Sequence, residues 1–299
     1  MIKADKKTSE ARTIVIIFFI EKNQLPWYNE TVQKRQNRSM DIRLFYMISG
    51  QNTNGIMLNF RHTANDNCSN FFAGYDRVKA MIYITGDIHG EYKRLENKKL
   101  KKLTENDCLI VCGDFGFLWD DSEREKAVLR KISDKHFKTL FVDGTHENFH
   151  LLDRLPVVEL FGGRAQQAEK NIYRLMRGEI YTIEGKTFFT FGGGESSDKE
   201  LRMENGTWWK EEQPSIEEMA YGVENLDTVG RKVDYIVTHQ PSMTDMALVD
   251  RRCSINPLST YFDELSRNIV YKKWYFGSLH KNKRIPRGQC LFTDIVRIS

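Results

Sequence analysis

Three apolar runs in this 299-residue chain end in the same way. "YITGDIHG" closes on Asp87 and His89, "IVCGDFG" on Asp114, and "FVDGTHE" on His146. Two later runs close on His239 ("VTH") and His280 ("YFGSLH"). In open α/β sheets, ligands bind beyond the carboxyl ends of the strands. Five such ends therefore bring two aspartates and four histidines towards one place. Carboxylate plus imidazole suits Mn²⁺, Fe, Ni²⁺ or Zn²⁺ better than Ca²⁺ or Mg²⁺. The glycines beside these residues let the backbone turn sharply and let a ligand come close. A single histidine after a strand is ordinarily a satisfied core or surface residue. Five strand-end occurrences in one chain point jointly to a metal site.

The elements that must hold these residues alternate from Met81 onwards. Strands are expected at 81–86, 108–113, 139–144, 186–193, 233–239 and 272–277, with a last one over 290–298. Helices are expected at 91–102, 121–135, 147–155, 215–229 and 260–268. Runs such as "LIVCG" and "YIVTH" are apolar throughout rather than alternating. That pattern marks strands covered on both faces, in a layered α/β fold.

Composition sets the outer limits. The chain is 40% hydrophobic and 29% charged, ordinary for a globular protein with a sizeable core. Its net charge of +4 is uneven. Residues 1–80 hold twelve Lys/Arg against seven Asp/Glu, and residues 81–299 hold 33 against 34. The second part thus lacks a global field that would argue for nucleic acid. Residues 1–80 carry apolar runs without a repeating period and Asn/Gln-rich stretches such as "SGQNTNG". Two readings of them stand side by side: a small appended module, or a translation begun upstream of a natural start at Met81. The longest apolar run, Thr13 to Ile20, is well short of the roughly 20 residues that span a bilayer, and no small-residue cleavage site follows it. Five scattered cysteines read as reduced thiols. A cytoplasmic protein is expected.

The ordered set "GDIHG" (86–90), "GD" (113–114), "GTHE" (144–147), "TH" (238–239) and "GSLH" (277–280) resembles the calcineurin-like metallophosphoesterases. The resemblance spans about residues 81–299 and leaves the front segment out. "GDIHG" also resembles the phosphoprotein-phosphatase and dinucleoside-tetraphosphatase branch. That branch follows its second motif with D-R-G, where this chain has "GDFGFLWD", so the resemblance is to the broad superfamily. It implies a four-layer α/β/β/α sandwich of two mixed sheets flanked by helices. It implies that Asp87, His89 and His280 hold a first metal, that Asp114 bridges two metals, and that His239 holds the second. It places His146 over the substrate, as proton donor or phosphate stabiliser. Metal-activated hydroxide would attack a phosphomonoester or phosphodiester. A phosphorylated small molecule, a nucleotide or a phosphoprotein is then the expected substrate, with no membrane partner and nucleic acid disfavoured.

Two positions depart from the family pattern. Its Asn in G-N-H is Thr145 here, and its first His in G-H-x-H is Ser278. Both are second-metal ligands in the family, and a hydroxyl is a much poorer ligand than imidazole. One well-held ion (Mn, Fe, Ni or Zn) and a weak second one are expected. The alternative is a catalytically degenerate member that binds a nucleotide or a protein.

"GGGESSDKELRMENGTWWKEEQPS", 192–214, reads as a loop rimming the cleft, and resembles a stretch found in a bacterial and phage subgroup of the family. Lys199 and Arg202 are candidate substrate contacts. Trp208 and Trp209 either stack on a base or cover the core. Glu147 either orients His146 or favours a helix N-terminus. "KNKRIPRG", 281–288, is either a steering patch for an anionic substrate or a solvated hairpin turn.

Overall fold

The computed structural model describes residues 80–250 and 255–298, together with three strands of the front segment. Those strands are β1 (Ile14–Phe19), β2 (Ile42–Met47) and β3 (Leu58–His62). They form one sheet in the order β1-β2-β3, with β1 parallel to β2 and β2 antiparallel to β3. The chain divides into two compact units, Met1–Arg77 and Val78–Ser299. Apart from the three strands, the two readings of residues 1–80 concern residues outside those described. So do Cys68 and Cys253.

The second unit holds two mixed sheets. The first has seven strands in the order β16-β4-β5-β6-β9-β8-β7. Its members are β4 (Ile82–Thr85), β5 (Cys108–Val111), β6 (Lys138–Phe141), β7 (Val157–Leu160), β8 (Gly163–Glu169), β9 (Ile172–Leu175) and β16 (Val296–Ile298). The second has six, in the order β10-β11-β12-β13-β15-β14. They are β10 (Glu179–Ile183), β11 (Lys186–Phe191), β12 (Tyr235–Thr238), β13 (Lys273–Phe276), β14 (Lys283–Ile285) and β15 (Gly288–Cys290).

Period-two alternation explains the layering. Ile82, Ile84, Cys108, Ile110 and Leu140 of the first sheet share one cluster with Phe188, Tyr235, Val237 and Tyr275 of the second. The in-between residues face outwards. Tyr83, Leu109, Val111 and Phe141 pack in a second cluster with Leu129 and Ile132 of helix α1 (Glu123–Ser133) and Phe149 and Leu152 of α2 (Phe149–Leu152). On the far side, Phe189, Ile236, Trp274 and Phe276 pack with Leu226 of α4 (Ile216–Thr228) and with Leu258, Phe262 and Leu265 of α6 (Pro257–Asn268). Strands apolar on both faces thus form two sheets packed face to face between two helical layers, which is the four-layer α/β/β/α sandwich. Among the described residues, no helix is long and apolar enough to cross a membrane.

Three local expectations are corrected, and two stretches form elements that were not expected. Residues 91–102 form two short 3₁₀ turns, Tyr92–Glu96 and Leu100–Lys102, rather than one helix. Asn97 separates them with extended backbone at ψ 140°, and only Leu95 and Leu100 are buried to anchor the segment. The stretch 290–298 is two strands in different sheets. The side chain of Asn282 accepts from the backbone N–H groups of Phe292 and Asp294, which takes the chain across between β15 and β16. The loop 192–214 contains helix α3 (Lys199–Glu204). Residues 156–183, given no element above, form β7 to β10. Helix α5 (Met243–Val249), also unassigned, is capped by the Ser242 hydroxyl, which accepts from Asp245 N.

Candidate metal centre

The middle of each sheet is a run of parallel strands. β4, β5 and β6 lie side by side in one, and β11, β12 and β13 in the other. Their carboxyl ends converge, which assembles residues far apart in sequence. Just past these ends, His89, Asp114, Ser278 and His280 take positive φ of 51°, 44°, 65° and 49°. Such backbone costs about 1 kcal/mol or more per non-glycine residue. It curls each strand end so that its side chain turns inwards. Three glycines make the room: a Cβ on Gly113 would lie 2.1 Å from the His239 ring, one on Gly144 2.0 Å from Asp114 Oδ1, and one on Gly277 2.0 Å from Asp87 Oδ1.

Asp87, His89, Asp114 and His280 each present one donor atom, and all four atoms lie within 4.8 Å of one another. His89 Nε2 and His280 Nε2 are 2.9 Å apart, and His280 Nε2 is 3.1 Å from Asp87 Oδ2. His89 Nε2 is 3.8 Å from Asp114 Oδ2. Donors bonded to a common transition-metal ion at roughly 2.0–2.2 Å must lie within about 4.4 Å of each other; the 2.9, 3.1 and 3.8 Å separations meet that limit, and the widest, 4.8 Å, needs a side-chain shift of only a few tenths of an ångström to close on one ion. Both aspartates are buried, while both histidines reach the surface.

The surroundings keep the Asp114 carboxylate charged. Burial pushes Asp114 up, but His239, His146 and the hydrogen bonds it accepts outweigh that and hold it well below the usual carboxylate range. Its Oδ1 accepts from Thr145 N at 2.7 Å and His146 N at 2.8 Å. Both oxygens of Asp87 accept from Ser278 N, at 3.1 and 3.0 Å. His280 is raised, chiefly by its hydrogen bond to Asp87. His89 is lowered, chiefly by burial.

His239 is buried with its Nδ1 3.1 Å from the Cys112 carbonyl oxygen. With Nδ1–H donated there, the Nε2 lone pair faces Asp114 Oδ1 at 3.6 Å. Here a second ion would find few donors. Thr145 Oγ1 lies 3.2 Å from His146 Nδ1. Ser278 engages Asp87 through its backbone N–H. A Cβ on Gly194 would touch Thr145 Cγ2, His239 Cδ2 and Gln240 Oε1, so Gln240 is the next polar side chain. Its Oε1 already accepts from Glu195 N and Asn256 Nδ2. Among the described residues, the only cluster with metal-ligand geometry is the set of four.

His146 stands at the rim, its side chain 40% exposed and its Nδ1 3.1 Å from Asp114 Oδ2. With Nδ1–H donated to that carboxylate, Nε2 is left for an incoming group. Arg202 is not available to a substrate. It is buried, and its guanidinium donates to Ser196 Oγ and the Thr207 carbonyl and pairs with buried Glu212. Lys199 lies over the Trp208 ring, 4.5 Å from its centroid. Trp209 packs against Trp119 and His150 on the outer core. "KNKRIPRG" is the β14–β15 hairpin.

Three side chains brace the site from behind. Glu147 neither orients His146 nor caps α2, whose N-cap is Asn148. It is fully buried and accepts from Phe115 N at 2.7 Å and Gly116 N at 3.4 Å, bracing the turn that follows Asp114. Arg94 donates to the carbonyls of Asp87 and Phe292. Asp143 anchors the β6 end through Arg174 and Arg177. The G-x-H-E pattern flagged Glu147; nothing local in the sequence singled out the arginines. Glu147→Ala is expected to weaken metal binding by about 10–100-fold. Competition with a chelator measures it, and Glu147→Gln, which keeps one acceptor, should lose less.

A crystal structure of a phosphopantetheinyl hydrolase from Mycobacterium tuberculosis is similar over 72% of this chain and 88% of that one, at 17% identity and a TM-score of 0.34. No curated protein matches the chain. The family model described as calcineurin-like phosphoesterase matches residues 80–268, which take in Asp87, His89, Asp114, His146 and His239 and stop short of Ser278 and His280. This chain belongs to the calcineurin-like phosphoesterase family.

Proposed function

We propose that this protein is a metal-dependent phosphoric ester hydrolase that cleaves a phosphomonoester or phosphodiester with one firmly held transition-metal ion and a weak second one. The observation that carries the reading is the convergence of the Asp87, His89, Asp114 and His280 donor atoms within 4.8 Å, with His146 at the open edge. An ion held there supplies a water of lowered pKa and neutralises phosphate oxygens. The chain's own residues do the rest. Asp114, fixed by two backbone N–H groups, sets the distance between the ion's position and His146. His146 donates through Nδ1 to Asp114, so its Nε2 is the nitrogen placed to carry a proton to the leaving oxygen. The shallow, open placement of His89 and His280 admits a substrate phosphate from solvent. We take Mn²⁺, Fe, Ni²⁺ or Zn²⁺ as the ion on the strength of its donors, two carboxylates and two imidazoles.

A second reading, a binding module with little turnover, is favoured by the hydroxyls at Thr145 and Ser278. One experiment separates the two. The full chain is assayed on a generic phosphodiester and a generic phosphomonoester with Mn²⁺, Ni²⁺ and Zn²⁺, beside the double variant Thr145→Asn/Ser278→His. The expected result is turnover by the native chain, a second bound ion in the double variant, and a rise in rate with it. Inactivity of the native chain with every ion would overturn the hydrolase reading, and activity appearing only in the double variant would establish the binding module.

A further inference from the structure

We infer that the basic cavity between the two sheet edges is a binding site for a compact, multiply charged phosphate ligand, separate from the metal centre. β14 is the edge strand of the six-stranded sheet and β16 the edge strand of the seven-stranded one. A cavity of about 490 Å³ lies between them, lined among others by Lys99, Asn282, Lys283, Arg284, Gln289 and Arg297. That volume falls within the roughly 300–1,000 Å³ of small-ligand sites. Its one acidic lining residue is Asp294.

The charge is concentrated. Residues 93–102 and 281–297 together hold eleven Lys/Arg against two Asp/Glu, in a unit whose overall balance is close to neutral. Lys283, Arg284 and Arg297 are exposed, and among the described residues none has a carboxylate at ion-pair distance. Lys281, by contrast, is paired with Asp250. Behind the lining, Lys273 Nζ donates to Gln289 Oε1 at 2.7 Å. Burial lowers its pKa, and the neighbouring Arg284 adds to the lowering.

Basic residues on edge strands also discourage pairing with another chain. That need is met by exposed side chains on a flat edge. It requires neither a concavity nor the cations that Lys99 and Lys273 bring from other elements. Lys99 Nζ donates to the carbonyl of Ile295, another lining residue, at 2.7 Å, and Asn282 ties the two walls by bonding Thr293 Oγ1 and the backbone of Phe292 and Asp294. Four lining cations in so small a volume match a di- or triphosphate group, free or carried on a nucleoside, better than a single phosphate.

The test reads binding by the full chain stripped of metal, so it does not depend on hydrolysis. Inorganic triphosphate is titrated calorimetrically at one fixed ionic strength. Lys283→Ala/Arg284→Ala is expected to weaken binding about tenfold or more, and Arg297→Gln, on the opposite wall, about threefold or more. Arg130→Ala/Lys131→Ala, which removes two exposed charges from α1, should change it less than about twofold. If the hairpin variant fails to fold, Arg297→Gln carries the test alone. No binding by the native chain, or equal weakening in the α1 variant, overturns the proposal. So does tighter binding of a single-stranded oligonucleotide through the same residues, which would make the cavity part of a nucleic-acid path.

Discussion

His146→Ala should lower the hydrolysis rate by about 10²–10³-fold while leaving the bound metal in place, the range expected for removing a positioned proton donor. The prediction rests on the division of labour in the centre. His146 does not belong to the four-donor set; its side chain touches that set through a hydrogen bond from Nδ1 to Asp114 Oδ2 and an edge-on ring contact with His89. The two contacts that fix Asp114 Oδ1 come from the backbone N–H groups of residues 145 and 146, which an alanine retains. Metal content should therefore survive and turnover should not. Substrates with good leaving groups need less proton donation, so the loss should shrink for an activated aryl phosphate ester. A variant that loses metal and rate together would show that His146 acts as a ligand or as scaffold.

Asp143→Ala should cost about 3–5 kcal/mol of stability, the usual penalty for stripping one partner from a buried ion pair. Asp143 is fully buried. Its Oδ1 accepts from Arg174 Nε at 3.0 Å, and its Oδ2 from Arg177 Nη2 at 2.6 Å. Arg177 is buried as well and reaches Glu218, while Arg174 reaches Gln166. Without the carboxylate, buried Arg177 keeps only the half-exposed Glu218 as an ionic partner and buried Arg174 keeps only the neutral Gln166 side chain. For a unit of this size the melting point should fall by about 10 °C. The pH dependence has a definite sign. Burial raises the Asp143 pKa, but the two arginines outweigh it and hold the folded-state value below the ordinary one. The carboxylate thus contributes stability above the unfolded value of about 3.9, and that contribution is lost as pH falls below it. The native chain should lose stability on acidification through this window, and the variant should lose less. Because Asp143 directly precedes Gly144-Thr145-His146, the variant's remaining folded fraction should also turn over more slowly.

The site was legible in the sequence to the extent that it lies at strand ends. Asp87, His89, Asp114, His239 and His280 each come just after an apolar run, and the fold brings those ends together. The central strands were equally legible, because residues such as Leu109, Ile110 and Val111 are covered on both faces. What escaped reading follows from distance and exposure. β7 has an exposed face and β8, "GRAQQAE", is largely polar, so neither shows a buried-strand run. The split of 290–298 depends on Asn282, whose side chain acts on residues ten and twelve positions away. Arg202 reads as a phosphate ligand by type, yet its partners Ser196, Thr207 and Glu212 consume its donors. The charge of the two sheet edges was masked because it cancels in the average over the unit.

The claim at the centre of this account is one firm metal site and one weak one. The most direct measurement is the number of transition-metal ions retained per full chain after loading with Mn²⁺ or Zn²⁺ and desalting, for the native protein, His280→Ala and Thr145→Asn/Ser278→His. About one ion per native chain is expected, with loss of that ion in His280→Ala and about two ions in the double variant. Two equally held ions in the native chain, or one ion that His280→Ala leaves untouched, would contradict it.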